Sequence, residues 1–261
     1  MPRPRYILKI DHLTRLILNK FLSDRLPVYL VNEYPKSGGT WLAQMLSYCL
    51  QLPFYRNQIP KLVPQIQHGH YLYHSQIKNV VILIRDGRDV MVSYYYHCLF
   101  LHENAHNYYE VQSTSKALNI SDPDDVEKNL PIFIDYCFSR KNHPNFTWVD
   151  FCLDWINKEK TIILYEKMLE DTSLELQHAL EGLGVSRINS HRIDEAVETY
   201  RFSKQAGRQT GLENVNSFLR KGIAGDWKNK FSRESCDIFK FYGGKTLIQL
   251  GYEKDDNWGK Q

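Results

Sequence analysis

Five residues in the run Tyr34-Pro35-Lys36-Ser37-Gly38-Gly39-Thr40-Trp41 have types and spacing suited to holding a phosphate-like anion. Gly38 and Gly39 let backbone N–H groups approach an anion closely, and Ser37 and Thr40 add hydroxyls. Lys36 supplies a mobile positive charge. The run follows the apolar stretch Val28 to Val31 and precedes Leu42, Met45, Leu46, Cys49 and Leu50 at helical spacing. Strand, glycine turn and helix together aim the positive end of a helix dipole at the turn. In the ATP loop GxxxxGK[ST] the lysine follows the glycines, whereas here it precedes them, so that pattern is not met. Gly243-Gly244-Lys245-Thr246 ends like an ATP loop, but its first glycine would fall at Phe239.

The order Tyr-Pro-Lys-Ser-Gly-x-Thr-Trp resembles the 5′-phosphosulfate loop of the sulfotransferases, which use 3′-phosphoadenosine 5′-phosphosulfate (PAPS) as donor. Two further segments carry the same resemblance. Ile84-Arg85-Asp86-Gly87-Arg88-Asp89-Val90-Met91-Val92-Ser93 follows the apolar run Val80 to Ile84 and is similar to the family's 3′-phosphate strand and helix. Arg220-Lys221-Gly222-Ile223-Ala224-Gly225-Asp226-Trp227-Lys228 matches the family's RKGxxGDWK loop at every fixed position. The three elements run from 34 to 228 in the family's order. The resemblance implies that Lys36, Ser37, Gly38, Gly39 and Thr40 hold the 5′ end of the nucleotide. Arg85, Ser93, Arg220, Lys221 and Gly222 then hold the 3′-phosphate, and Trp41, Tyr165 and Phe202 flank the adenine. Tyr200-Arg201 stands where the family has small hydroxyl residues. Charge-assisted bonds of about 1.5–3 kcal/mol each suffice, in sum, for micromolar binding at about 8 kcal/mol. Arg88, which the pattern does not require, is expected to be a solvated surface charge.

Sulfuryl transfer needs a base for the acceptor's proton and a cation on the leaving phosphate oxygen, with positioning and electrostatics carrying most of the rate. Lys36 is the cation the resemblance implies. In Gln67-His68-Gly69-His70-Tyr71, His70 stands where cytosolic relatives carry the histidine of Lys-Thr-His, and imidazole chemistry suits a base. His68 is the next candidate, and a carboxylate from the middle of the chain the third. His68, His70 and His74 also spell HxHxxxH, yet no Asp or Cys sits at metal-site spacing beside them, and no metal is expected.

The chain has 261 residues, a net charge of +3 and five scattered cysteines without CxxC spacing. Length and composition fit one domain with a real core. The mild charge argues against a nucleic-acid partner, and the cysteines read as buried thiols in a reducing, cytoplasmic compartment. Asn119-Ile120-Ser121 and Asn145-Phe146-Thr147 spell glycosylation sequons with no signal peptide before them. No run approaches the roughly 20 apolar residues of a membrane span. Leu13, Leu16, Ile17 and Phe21 recur at helical spacing, which predicts a helix packed on the domain, with an interfacial helix on anionic lipid as the other reading.

Strands near 28–34, 80–84 and 161–165 alternate with helices near 40–51, 88–99, 146–158, 166–181, 190–199 and 232–242. The alternation predicts an α/β fold: a parallel sheet with helices on both faces, P-loop-like, with the nucleotide at the carboxyl ends of the strands. Residues 102–144 read as an irregular insertion, a substrate lid that shapes acceptor choice. The expected acceptor is a hydroxyl or amine of a small molecule, glycolipid or carbohydrate, and 3′,5′-adenosine bisphosphate is the expected product. Two other readings stay open: an ATP- and magnesium-dependent P-loop kinase, and a catalytically silent nucleotide-binding protein. The family's pairing motif KxxxTVxxxE fails at Ser232-Arg233 and Asp237, so the oligomeric state is open.

Overall fold

In a computed structural model, residues 5–259 are described, apart from Asp24, Asn57 and 141–143. Arg5–Ile17 forms α1, which continues into a π-helical turn at Leu18–Leu22. There follow β1 (Val28–Glu33), α2 (Gly39–Leu50), β2 (Gln65–Gly69), β3 (Val80–Ile84), α3 (Gly87–Leu99), α4 (Tyr108–Leu118), α5 (Val126–Ser139), α6 (Trp148–Ile156), β4 (Thr161–Leu164), α7 (Tyr165–Glu170), α8 (Thr172–Gly182), α9 (Ser190–Tyr200), α10 (Phe202–Ala206) and α11 (Arg233–Gln249). The chain divides into two compact units, one of Arg3–Arg85 and Asp154–Gln209, the other built mainly of Asp86–Leu153 and Thr210–Gln261.

The first unit holds the whole sheet, four parallel strands in the order β2-β1-β3-β4. Val31 pairs with Val81 and His68, and Leu83 with Ile163. All five residues of β3 are buried, the continuous apolar run of a strand covered on both faces. Leu42, Met45 and Leu46 of α2, Leu176 and Leu180 of α8 and Ile193 of α9 bury against Val31, Ile66, Val81 and Ile163 in one apolar core cluster. Asp171 separates α7 from α8 and caps α8 by accepting from the Leu174 N–H at 3.0 Å.

In the second unit, Asp86 caps α3 by accepting from the Arg88 N–H at 2.9 Å. Arg88 is buried here, which overturns its reading as a surface charge. Its guanidinium bonds Asp86 and Glu253 and lies 3.8 Å above the Trp227 ring and 4.6 Å above that of Trp258. A planar cation can be buried when carboxylates hold its edges and aromatic rings its faces. Residues 102–144 are not irregular: α4 and α5 occupy most of the segment, while 141–143 lie outside the described residues. Buried Leu130, Phe133, Ile134 and Phe138 line one side of α5, and the Tyr95 and Phe133 rings meet edge to face at 5.5 Å. Among the described residues no helix is long and apolar enough to cross a membrane.

Candidate active site

The carboxyl ends of the four parallel strands bring the candidate residues of the first unit together. β1 leads into the Lys36 loop, β2 into His70, β3 into Arg85 and β4 into Tyr165. A parallel sheet offers its strand ends as the place where loops can gather chemistry from distant sequence.

The loop is tight. Lys36 has a left-handed φ of 74°, unusual for a side chain with a Cβ, and its carbonyl accepts from the Arg85 guanidinium at 3.2 Å. Ser37 is buried and its hydroxyl donates to the Tyr34 carbonyl at 2.8 Å, so it shapes the turn. Gly38 has φ 104°, and a Cβ there would fall 2.7 Å from the Tyr165 ring. Thr40 lies in the first turn of α2. Trp41 donates its indole N–H to the Tyr200 carbonyl at 2.9 Å and meets the Tyr165 ring edge-on at 6.2 Å. Trp41 is thereby linked to Tyr165 and to the end of α9, two residues before Phe202. Arg85, buried, lays its guanidinium 4.3 Å above the Tyr165 ring. The Arg208 guanidinium stands 5.3 Å from the Phe202 ring.

Glu33 is a site residue that the sequence reading missed. It ends β1, is buried, and accepts from the Gly39 N–H at 2.5 Å through one oxygen while the other meets His68 Nε2 at 2.8 Å. A Cβ on Gly39 would come within 2.7 Å of the Glu33 carboxyl, so this approach needs glycine. Burial works to raise the Glu33 pKa, but the His68 hydrogen bond and charge, the charge of His70 and the Gly39 N–H outweigh it and hold the carboxyl below its ordinary range. Its backbone carbonyl lies 2.9 Å from His70 Nδ1. A carbonyl can only accept, so that nitrogen carries a proton, and in the neutral ring the lone pair of His70 sits on Nε2. The His68 and His70 rings meet edge to face at 4.9 Å. One donor atom from each of Glu33, His68 and His70 lies within 4.8 Å of the others. A carboxylate thus joins the two histidines in space, from β1, where the HxHxxxH spacing pointed to His74. The one sequence signal was a glutamate directly ahead of the Tyr-Pro-Lys run.

In the second unit Ser93 is half-buried on α3. Arg220 pairs with Glu213 and, at 2.6 Å, with Asp226, which also accepts from Lys221 at 2.5 Å. Burial pushes the Asp226 carboxyl up, yet these two cations outweigh it and lower its pKa. Asp89 accepts from the Gly225 and Trp227 N–H groups at 2.6 and 2.9 Å, fastening the loop that carries Arg220, Lys221 and Gly222 to α3.

Residues 70–251, well over half of the chain, match the family model described as the sulfotransferase domain. The chain belongs to the sulfotransferase family. Its relatives include Sulfotransferase 1A1 of Rattus norvegicus, 24% identical over 86% of this chain and 86% of that protein. The 3-beta-hydroxysteroid sulfotransferase of Cavia porcellus is 26% identical over 89% of this chain and 88% of the other. The fold is that of a mouse sulfotransferase, SULT7A1, crystallised with PAP: TM-score 0.61, 17% identity, 86% of each chain covered. The family match begins at His70, so the Lys36 loop lies outside it.

Proposed function

We propose that this sulfotransferase moves a sulfuryl group from PAPS to a hydroxyl or amine of its acceptor, with His70 as the base and Lys36 as the cation on the leaving oxygen. The observation that carries this reading is the strand-end cluster, in which the Lys36 loop, His70, Arg85 and Tyr165 each follow directly from one strand of a single parallel sheet. The family match supports the reaction type, and the reverse order of lysine and glycines speaks against the ATP-dependent kinase.

His70 Nε2 takes the acceptor's proton as the acceptor oxygen or nitrogen forms its bond to sulfur. The bond from sulfur to the 5′-phosphate oxygen breaks in line, and the Lys36 ammonium steadies the charge that grows there, leaving 3′,5′-adenosine bisphosphate. The tautomer fixed by the Glu33 carbonyl favours His70, since the Nε2 of His68 is committed to the Glu33 carboxylate. Lys36, Gly38, Gly39 and Thr40 serve the 5′ end, Ser37 supporting the turn; Arg85, Ser93, Arg220, Lys221 and Gly222 serve the 3′-phosphate, and Trp41, Tyr165 and Phe202 the adenine. Gly38 packs so closely on Tyr165 that a Cβ would fill the gap, as expected of a cradle shaped for a flat base and an anion. No step needs a metal, so exhaustive chelation leaves turnover unchanged in this reading. We assign α4 and α5, with the segment 102–144, to acceptor choice. Small alcohols, steroids, glycolipids and sugars are candidate acceptors, and five free thiols agree with a cytoplasmic setting.

The test is product formation from PAPS across an acceptor panel, with Lys36→Ala and His70→Ala beside the parent chain. Both substitutions are expected to reduce transfer by about 10²- to 10⁴-fold, and His70→Ala to leave binding of 3′,5′-adenosine bisphosphate nearly intact. Full activity of either variant contradicts the assignment.

A further inference from the structure

The N-terminal helix is inside out. Tyr6, Ile10, Leu13, Ile17 and Phe21 are 65%, 49%, 56%, 41% and 60% exposed, while Asp11, Arg15 and Asn19 are at most 8% exposed. The exposed five are spaced 4, 3, 4 and 4 residues apart, one continuous stripe along α1 and its π-helical turn. The inner side, apart from the fully buried Leu18, is polar and bonded. Arg15 donates to Asp11 at 2.7 Å and to the carbonyls of Tyr55 and Gln58, and Asn19 donates to Gln67 of β2 at 2.9 Å. A helix normally buries its apolar stripe; this one uses hydrogen bonds to turn that stripe outward, and large contiguous apolar patches on a protein surface mark protein or membrane interaction sites.

We propose that this face seats the protein on an anionic lipid bilayer. Charge selects the occupant. Asp11 is the single acidic residue between positions 5 and 22, and it is buried against Arg15. The exposed side therefore carries apolar groups and the cations Lys9 and Lys20, with His12. A second copy of the same face would bring like charges together with no acid to answer them, whereas phosphatidylserine answers them directly. The segment that Arg15 grips also exposes apolar groups, with Ile59 42% and Leu62 66% exposed on either side of exposed Lys61. The His12 ring lies 6.2 Å from that of Tyr71, the residue after His70, so the docking helix rests beside the strand end that carries the proposed base.

The experiment is co-sedimentation of the full chain with phosphatidylcholine vesicles containing about one-fifth phosphatidylserine, against phosphatidylcholine alone, with and without about 0.5 M salt. Binding is expected to be at least tenfold stronger on the anionic vesicles and to fall with salt. Leu13→Glu with Ile17→Glu is expected to abolish it, and Lys9→Glu with Lys20→Glu to remove the preference for anionic lipid. The thermal shift with 3′,5′-adenosine bisphosphate serves as the control for folding. No sedimentation with that shift present overturns the proposal, as does a dimer in light scattering that the double glutamate variant converts to monomer. Vesicle binding without the nucleotide shift counts against the donor assignment and leaves the docking face standing.

Discussion

Glu33 holds three parts of the site at once: the first N–H of α2, the His68 imidazole and, through its carbonyl, the tautomer of His70. Its folded pKa is lowered, so the carboxylate contributes stability above its ordinary value near 4.5, and that contribution is lost as pH falls from there through the lower folded value. Glu33→Gln keeps the shape and removes the charge. The expected cost is about 1–3 kcal/mol at neutral pH, from a half-buried imidazole left with a weaker partner. The check is chemical denaturation at several pH values: the difference between parent and variant should be full at neutral pH and shrink as pH drops below about 4.5. A pH-independent difference would show that the charge plays no part.

At the scale of elements, the turn between β1 and α2 depends on two glycines for different reasons. Gly38 needs its left-handed backbone and its approach to Tyr165, while Gly39 needs only the absence of a Cβ beside Glu33 and His68. Gly38→Ala is expected to lower the melting temperature through backbone strain of about 1 kcal/mol or more, together with displacement of Tyr165. Gly39→Ala should instead push Glu33 and His68 apart, lowering turnover more than stability; thermal melts beside rate measurements separate the two, and equal losses in both variants would refute the distinction. β1, β3 and β4 were legible because each is a short apolar run, and the Lys36 loop because its glycines sit between a strand and a helix. β2 was not, because Gln65 and Gln67 are polar, yet both are buried, with Gln65 bonding the Lys61 and Val63 carbonyls and Gln67 bonding Asn19. α5 hid behind Pro131 in its interior, and α11 runs on past Gly243 and Gly244 because Phe239 packs against the bare backbone at Gly243. Glu33 was invisible for another reason: its partners lie 35 and 37 residues away, and only the parallel register of β1 and β2 brings them level.

For the molecule as a whole, nucleotide choice is the property that separates the sulfotransferase reading from the kinase and the silent binder. A ligand at about a hundred times its dissociation constant adds about 2.7 kcal/mol to the folded state, which for a chain of this size raises the melting temperature by about 5–10 °C. 3′,5′-Adenosine bisphosphate should give this shift without magnesium, because the groups assigned to its phosphates are Lys36, Arg85, Arg220 and Lys221, cations of the chain itself. ATP lacks a 3′-phosphate and should give a far smaller shift under the same conditions. Salt should reduce the effect, most strongly for the half-buried Lys36 and Lys221, whose charges solvent ions can screen, and least for Arg85 and Arg220, which are buried. A larger shift with ATP and magnesium than with the bisphosphate would transfer the chain to the kinase reading; equal small shifts with both would leave the strand-end cluster without its proposed ligand.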